Sequence, residues 1–290
     1  MDLTVKRIAR VFGAKTNMTP TDEDVYFGPP PDLLDIKYDE VHISITFTTD
    51  IRKIAPIADY WHEYGVVKIG GPACGDPGGE FMPGLYLKKG VTITSRGCIR
   101  NCPFCYVPSR EGRIRELKIH AGNIVQDNNL LACSTNHIKK VFEMLRTQRG
   151  VDFAGGLDCR LLEDWMIEEL RSLKIQQIWV AYDSEDYTSA VQRAGTKLSE
   201  YFSRNKLRCY VLIGYGEDTL DKAESRLRQT WEFGFLPFAM LYQPKQYEKK
   251  WHELQRNWSR PAITKNIMAS QRAGQRGLFE KGRMKLGEER

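Results

Sequence analysis

From about residue 91 onward, short runs rich in β-branched and aromatic residues alternate with longer stretches whose apolar positions recur every three or four residues. The first period is that of a strand and the second that of an amphipathic helix, so the alternation predicts parallel strands joined by helices. Six strands are expected, over 91–94, 123–126, 151–154, 177–181, 208–213 and 236–241, with helices near 136–147, 161–173, 186–204 and 218–232. Ser184 before Glu185, and Asp218 before Thr219 and Leu220, supply helix-capping chemistry for the last two helices. Upstream, 41–47 alternates as a strand, 51–64 has helical period and 66–69 reads as a second strand, a βαβ unit of Rossmann-like type. Pro29-Pro30-Pro31 and the glycine- and proline-rich stretch over 70–79 punctuate this region. The expected organisation is a small N-terminal Rossmann-like α/β domain over 1–84, a β/α domain over 85–243 and a basic C-terminal extension over 244–290. No fixed-period repeat and no low-complexity tract interrupts it.

Composition narrows the class. The chain has 290 residues, 41% hydrophobic and 28% charged, as expected of a globular protein with a substantial core. No run approaches the roughly 20 apolar residues that span a bilayer. The N-terminus carries Asp2 and lacks the apolar core of a secretory signal, which predicts a cytoplasmic protein with no membrane partner. Of the net charge of +6, the segment 244–290 holds 12 Lys and Arg against 5 Asp and Glu. That tail, with Trp251 and Trp258, has the chemistry to attract phosphates and stack on bases; the competing expectation is a solvated helix with a frayed end.

The seven cysteines stand at 74, 98, 102, 105, 133, 159 and 209, and three are clustered. Cys159 and Cys209 lie in apolar or mixed surroundings, where a free cysteine serves as a small buried hydrophobe. Thr94-Ser95-Arg96-Gly97-Cys98-Ile99-Arg100-Asn101-Cys102-Pro103-Phe104-Cys105-Tyr106 spaces the cluster as CxxxCxxC on the loop leaving the first predicted barrel strand. Loops at the carboxyl ends of barrel strands are where β/α barrels assemble active sites. Three thiolates complete three of the four iron sites of a cubane and leave one iron open to another ligand. Zinc is the rival: Cys133 or His137 could add a fourth ligand to the three thiolates and close a tetrahedral site, giving a structural or nucleic-acid-binding protein without catalysis. A ferredoxin-type carrier would bring a fourth cysteine in register, and none stands near Cys105.

This spacing, with the aromatic Phe104 just before the third cysteine, resembles the radical S-adenosylmethionine superfamily. The resemblance covers about residues 85–243 and is best with the branch that carries an N-terminal cobalamin-binding-type domain. It implies a partial (β/α)6 TIM-like barrel, a [4Fe–4S] cluster on Cys98, Cys102 and Cys105, and S-adenosylmethionine chelated to the open iron and cleaved to a 5′-deoxyadenosyl radical. By the same resemblance, Asp127, Asn128 and Asn129 fall near the amino end of S-adenosylmethionine, and Asp158 and Arg160 near its carboxylate or sulfonium. Asp183 and Ser184 fall near its ribose, while Phe104, Gly214 and Glu217 fall around its adenine. A reductant such as flavodoxin or ferredoxin is implied. The substrate is either RNA or another nucleic acid, favoured by the basic tail, or a small metabolite. Tyr106, Arg110 and Arg113, just beyond the cluster, either face substrate or cover the barrel mouth, and the second is favoured.

The sequence departs from that pattern in two places. Residues 106–122 leave little room for a first crossover helix, and Gly155-Gly156 follows the third strand where the family has Gly-Gly-Glu after the second. Asp-x-His-x-x-Gly, which would place a cobalt-ligating histidine, is missing around His62, so a degenerate N-terminal domain is favoured over one that carries cobalamin. Methylthiolation is disfavoured because only Cys74 is available for a second, N-terminal cluster.

Overall fold

Ile8–Phe12 (β1) buries Ala9 and Val11 completely, and it draws Val25–Phe27 (β2) and Glu40–Ser44 (β3) alongside it. The computed structural model describes residues 6–32 and 35–270. Ile54–Trp61 (α1) covers these strands with Ile57 and Trp61, and Val66–Gly70 (β4) completes a four-stranded parallel sheet in the order β2-β1-β3-β4. Trp61 Nε1 donates to the Gly28 carbonyl at 2.8 Å, which ties the helix end to the chain after β2. The helix expected over 51–64 is divided: Thr48–Lys53 forms a 3-10 turn, and α-helix begins only at Ile54. Pro56 explains the division, because a residue without an N–H is tolerated in the first helical turn but not deeper.

The following elements are Val91–Thr92 (β5), Ser95–Arg96 (β6), Val107–Arg110 (α2), Arg115–Glu116 (β7), Ile124–Val125 (β8), Thr135–Arg146 (α3), Val151–Leu157 (β9), Asp164–Arg171 (α4), Ile175–Tyr182 (β10), Thr188–Ser199 (α5), Leu207–Ile213 (β11), Leu220–Glu232 (α6), Leu236–Leu241 (β12) and Lys249–Ser259 (α7). Strands β5 and β8 to β12 belong to a six-stranded sheet in the order β12-β11-β10-β9-β8-β5, with parallel pairing of β5 to β8, β8 to β9, β10 to β11 and β11 to β12. The class is therefore mixed α/β with parallel sheets. The chain divides into two compact units, Met1–Gly155 with Ser172–Ile175, and Gly156–Arg171 with Gln176–Arg290.

Several expected boundaries move. The strand expected over 91–94 ends at Thr92, and residues 95–96 turn away to pair antiparallel with 115–116. The crowding between Cys105 and Asn123 leaves a single helical turn, α2, in place of a crossover helix. Ser184 caps a 3-10 turn over Glu185–Tyr187 rather than α5, and Thr219 rather than Asp218 caps α6, its hydroxyl accepting from the Lys222 N–H at 3.3 Å. In the second unit the C-terminal extension is folded as far as it is described. Trp258 on α7 is 1% exposed, Ser259 Oγ donates to the Ala239 carbonyl of β12 at 3.0 Å, and helix continues over 261–270. The expectation of a solvated helix is thus corrected for α7, which exists because Trp258 has an apolar seat to fill. Residues 1–5 and 271–290, on which the readings of the N-terminus and of the distal basic tail partly rest, lie outside the described residues. Among the described residues no helix is long and apolar enough to cross a membrane.

Candidate functional site

Strands β6 and β7 form the base of the cysteine loop. Ser95 opposes Glu116 and Arg96 opposes Arg115, so residues 97–114 leave and return at one point, closed by the Cys98 N–H on the Gly112 carbonyl at 3.1 Å. Gly97 has φ +81°, and a Cβ there would lie 2.2 Å from the Arg113 carbonyl oxygen, so only glycine fits at the entry. The Gly97 N–H donates to Glu111 Oε2 at 3.2 Å. The Glu111 side chain is nearly fully buried, and it also accepts from Asn128 Nδ2 and from Arg110 at 2.6 Å. Glu111 is therefore the post to which both ends of the loop and the segment after β8 are tied. The sequence reading missed it, because its partners Gly97 and Asn128 lie 14 and 17 residues away and leave no local signal.

Within the loop Cys98, Cys102 and Cys105 are all half-buried and none is in a disulfide. Cys98 Sγ accepts from the Arg100 N–H at 3.3 Å and from Asn129 Nδ2 at 3.4 Å. The Cys105 N–H donates to the Cys102 carbonyl at 3.0 Å, folding the second and third cysteines into one turn. Two N–H donors aimed at one sulfur are the kind of outer support that orients a metal-binding thiolate. The donor set and its support therefore fit an iron–sulfur cluster. Among the described residues, however, no three His, Cys, Asp or Glu side chains are gathered closely enough to form a ready-made metal site. For the zinc alternative, burial pushes the Cys133 thiol up to about 11, and His137 Nδ1 lies 3.6 Å from Glu116 Oε2.

Of the three residues after β8, Asp127 is buried with its carboxylate turned to the start of the cysteine loop. It accepts from Thr94 N at 2.7 Å, Thr94 Oγ1 at 2.6 Å and Ser95 Oγ at 2.7 Å. Burial raises its pKa above the ordinary carboxylate value, and these hydrogen bonds oppose the rise. Asn128 holds Glu111 and Asn129 holds Cys98, so the whole triplet supports the loop. Gly155 on β9 lets this segment approach: a Cβ there would lie 2.1 Å from the Asp127 carbonyl oxygen. Phe104 is half-buried, while Tyr106 and Arg113 are exposed.

The same unit contains a cavity of about 580 Å3 beside Arg96, Arg110, Glu111 and Asn128. His42 is the imidazole in its lining, and both ring nitrogens are engaged, Nε2 with Glu40 at 2.7 Å and Nδ1 with the Tyr86 hydroxyl at 2.5 Å. His62 is exposed, with Nδ1 on the Asp59 carbonyl.

The second unit carries the remaining expected residues. Asp158 and Arg160 form a two-point ion pair, Nε to Oδ1 at 2.7 Å and a terminal nitrogen to Oδ2 at 3.0 Å, and the Arg160 guanidinium lies 4.3 Å from the Tyr187 ring centre. Asp183 directly follows β10, and its N–H donates to the Tyr187 hydroxyl at 2.6 Å. Burial pushes its carboxyl up to about 6 against the opposing pull of the Tyr187 hydroxyl and of Arg160. Ser184 Oγ donates to Asp186 at 2.6 Å. Gly214, at φ +75°, donates to Asp218 at 2.8 Å, and its carbonyl accepts from the Tyr247 hydroxyl. Tyr247 thus occupies the turn expected to pack on adenine, a contact that the sequence reading missed. Glu217 is exposed. Cys159 and Cys209 are buried and apolar, as expected, and burial pushes Cys159 up to about 12. No protein-family model matches the chain, and no curated protein matches it.

Proposed function

We propose that the chain is a radical S-adenosylmethionine enzyme whose [4Fe–4S] cluster is held by Cys98, Cys102 and Cys105, with β5 and β8 to β12 as a partial (β/α)6 barrel. The observation that carries this reading is the construction of the loop: three half-buried thiols on one excursion, pinned at both ends by the buried Glu111 and supported at Cys98 Sγ by two N–H donors. A solvated loop that merely carried cysteines would not need a buried carboxylate tying it to two segments.

Cys98, Cys102 and Cys105 would hold the cluster, which, given one electron by an external flavodoxin- or ferredoxin-type reductant, would supply the reductive cleavage of S-adenosylmethionine into methionine and a 5′-deoxyadenosyl radical able to take a hydrogen atom from substrate. The chain's own contributions are positional. Asn129 and the Arg100 amide hold Cys98 Sγ in place, Asp127 fixes the two residues before Arg96, and Glu111 holds Gly97 in the conformation from which the loop starts. Asp158, Arg160, Asp183 and Ser184 are the proposed contacts for S-adenosylmethionine.

The test is anaerobic reconstitution with iron and sulfide, followed by dithionite and S-adenosylmethionine. A brown protein that yields 5′-deoxyadenosine, and a Cys102→Ala variant that yields none, is the expected result. Protein that carries one zinc and no sulfide overturns the reading in favour of the structural alternative.

A further inference from the structure

Glu40, His42 and Tyr86 form a hydrogen-bonded chain that the cysteine loop does not use. His42 stands on β3 with Nε2 on Glu40 Oε2 at 2.7 Å and Nδ1 on the Tyr86 hydroxyl at 2.5 Å. The imidazole and phenol rings lie 27° from parallel with centres 5.9 Å apart, so the hydroxyl meets the imidazole at its edge, where the Nδ1 lone pair points. Glu40 also accepts from Lys6 Nζ at 2.6 Å and from Lys68 Nζ at 2.7 Å, and Lys6, Lys68 and His42 together hold its carboxyl down to about 2. An ionised Glu40 only accepts, so in the neutral imidazole Nε2 carries the hydrogen and Nδ1 is left to receive the Tyr86 proton. A hydroxyl, an imidazole placed to take its proton and a carboxylate that fixes the tautomer are the parts of an activated nucleophile.

The loop that bears Tyr86 is fixed from the core. Buried Arg10 on β1 donates to the Gly84 and Leu85 carbonyls at 3.3 and 3.2 Å, and the Lys88 N–H donates to the Met18 carbonyl at 2.8 Å. His42 and Tyr86 both line the cavity of about 580 Å3, a size within the range of small-molecule sites, roughly 300–1,000 Å3. Phe12, Ile43, Leu87 and Ile93 give it an apolar wall. The charged groups of the lining are matched inside the protein: Lys68 with Glu40, Asp76 with the Gly78 N–H at 2.8 Å, and Arg96 and Arg110 with Glu111. A further charge brought in would find no partner, so the cavity favours a neutral substrate.

We propose that Tyr86, His42 and Glu40 are an esterase centre, independent of the cysteines, that hydrolyses a neutral carboxylic ester with an apolar acyl group. Tyr86 Oη attacks the carbonyl carbon as its proton passes to His42 Nδ1, and the C–O bond to the alcohol breaks as that proton goes to the departing oxygen. Water, giving a proton to His42, then attacks the acyl-tyrosine; the acid leaves and the Tyr86 phenolate takes the proton back. Water is the only co-reactant. Burial raises the Tyr86 pKa above its ordinary value, so the hydroxyl needs a base in contact with it in order to react, the part that His42 supplies. Tyr86 and His42 are the catalytic residues, and Glu40 is a positioning residue that acts through the imidazole.

The test uses full-length protein without iron or S-adenosylmethionine, with p-nitrophenyl butyrate as the probe. Saturable release of p-nitrophenol is expected. Tyr86→Phe removes one oxygen atom from a residue that is 39% exposed, and it should lower kcat/KM by about 100-fold or more while leaving the circular dichroism spectrum unchanged. His42→Gln should lower kcat/KM to the same extent. Glu40→Gln should lower kcat by about tenfold or more with KM unchanged, a split that a general loosening of the fold would not produce. Absence of saturable hydrolysis by the wild-type protein, or hydrolysis at the wild-type rate by any of the three variants, overturns the proposal. None of these outcomes bears on the reconstitution test of the cysteine loop.

Discussion

Asp127 and Asp183 were expected to meet the same small molecule, yet their surroundings give them different work. Asp127 receives three hydrogen bonds from Thr94 and Ser95 in a space closed to water. Asp127→Ala strands those donors, and at about 1–3 kcal/mol for each buried unpaired group the loss should reach roughly 3 kcal/mol or more, read as a lower urea midpoint. A midpoint within error of the wild type would show that water replaces the carboxylate. Asp183 behaves in the opposite way, because burial raises its carboxyl from 3.8 to about 6. The folded state then holds a proton that the unfolded chain releases, so this contribution to stability is complete below about pH 4 and lost as the pH rises through 6. It amounts to on the order of 3 kcal/mol. Asp183→Asn stays neutral throughout, so the variant's Tm should overtake that of the wild type between pH 4 and 7. Parallel pH profiles of the two proteins would rule out the raised pKa.

At the scale of elements, helix α5 shows how packing reverses a propensity. Replacing a helix-interior glycine by alanine normally stabilises by about 1 kcal/mol. A Cβ on Gly195, however, would lie 1.9 Å from the Phe233 carbonyl oxygen and 2.8 Å from the Phe235 ring. Gly195→Ala must therefore push apart α5 and the turn before β12, and thermal melts should show a loss of about 2 kcal/mol in place of a gain. The same contrast explains which elements could be read from the chain. Helices α3 and α6 and strands β11 and β12 were legible because their apolar periodicity is local and nearly uninterrupted. Strand β1 was not, since Arg10 interrupts its pattern and is buried with Asp22 and the Gly84 and Leu85 carbonyls as its partners. The cysteine spacing was legible for the first reason. The posts that hold the loop were hidden for the second, because Glu111, Asn128 and Asn129 acquire their roles from contacts 14 to 31 residues apart.

At the scale of the molecule, the distribution of charge must be considered together with the fold of the extension. Trp258 is buried, the Arg228 guanidinium lies 5.6 Å from its ring centre, and Lys265 Nζ donates to Asn205 at 2.8 Å. Trp258 is thus no stacking platform for a base, and α7 with the helix after it is part of the second unit's structure. Trp258→Ala should cost about 3–5 kcal/mol, as for other large-to-small changes in a core. Deletion of 244–290 would accordingly remove a structural layer together with the basic residues, and a loss of RNA binding in that truncation could come from unfolding alone. Lys249, Lys250 and Arg256 are exposed on α7 and can be changed without touching the core. If RNA is the substrate, the triple charge reversal to Glu should leave Tm unchanged and flatten the dependence of log K on log salt by about 0.7 for each lost phosphate contact to a single strand. A salt dependence identical to that of the wild type would take this basic face out of RNA recognition and leave the small metabolite as the substrate class.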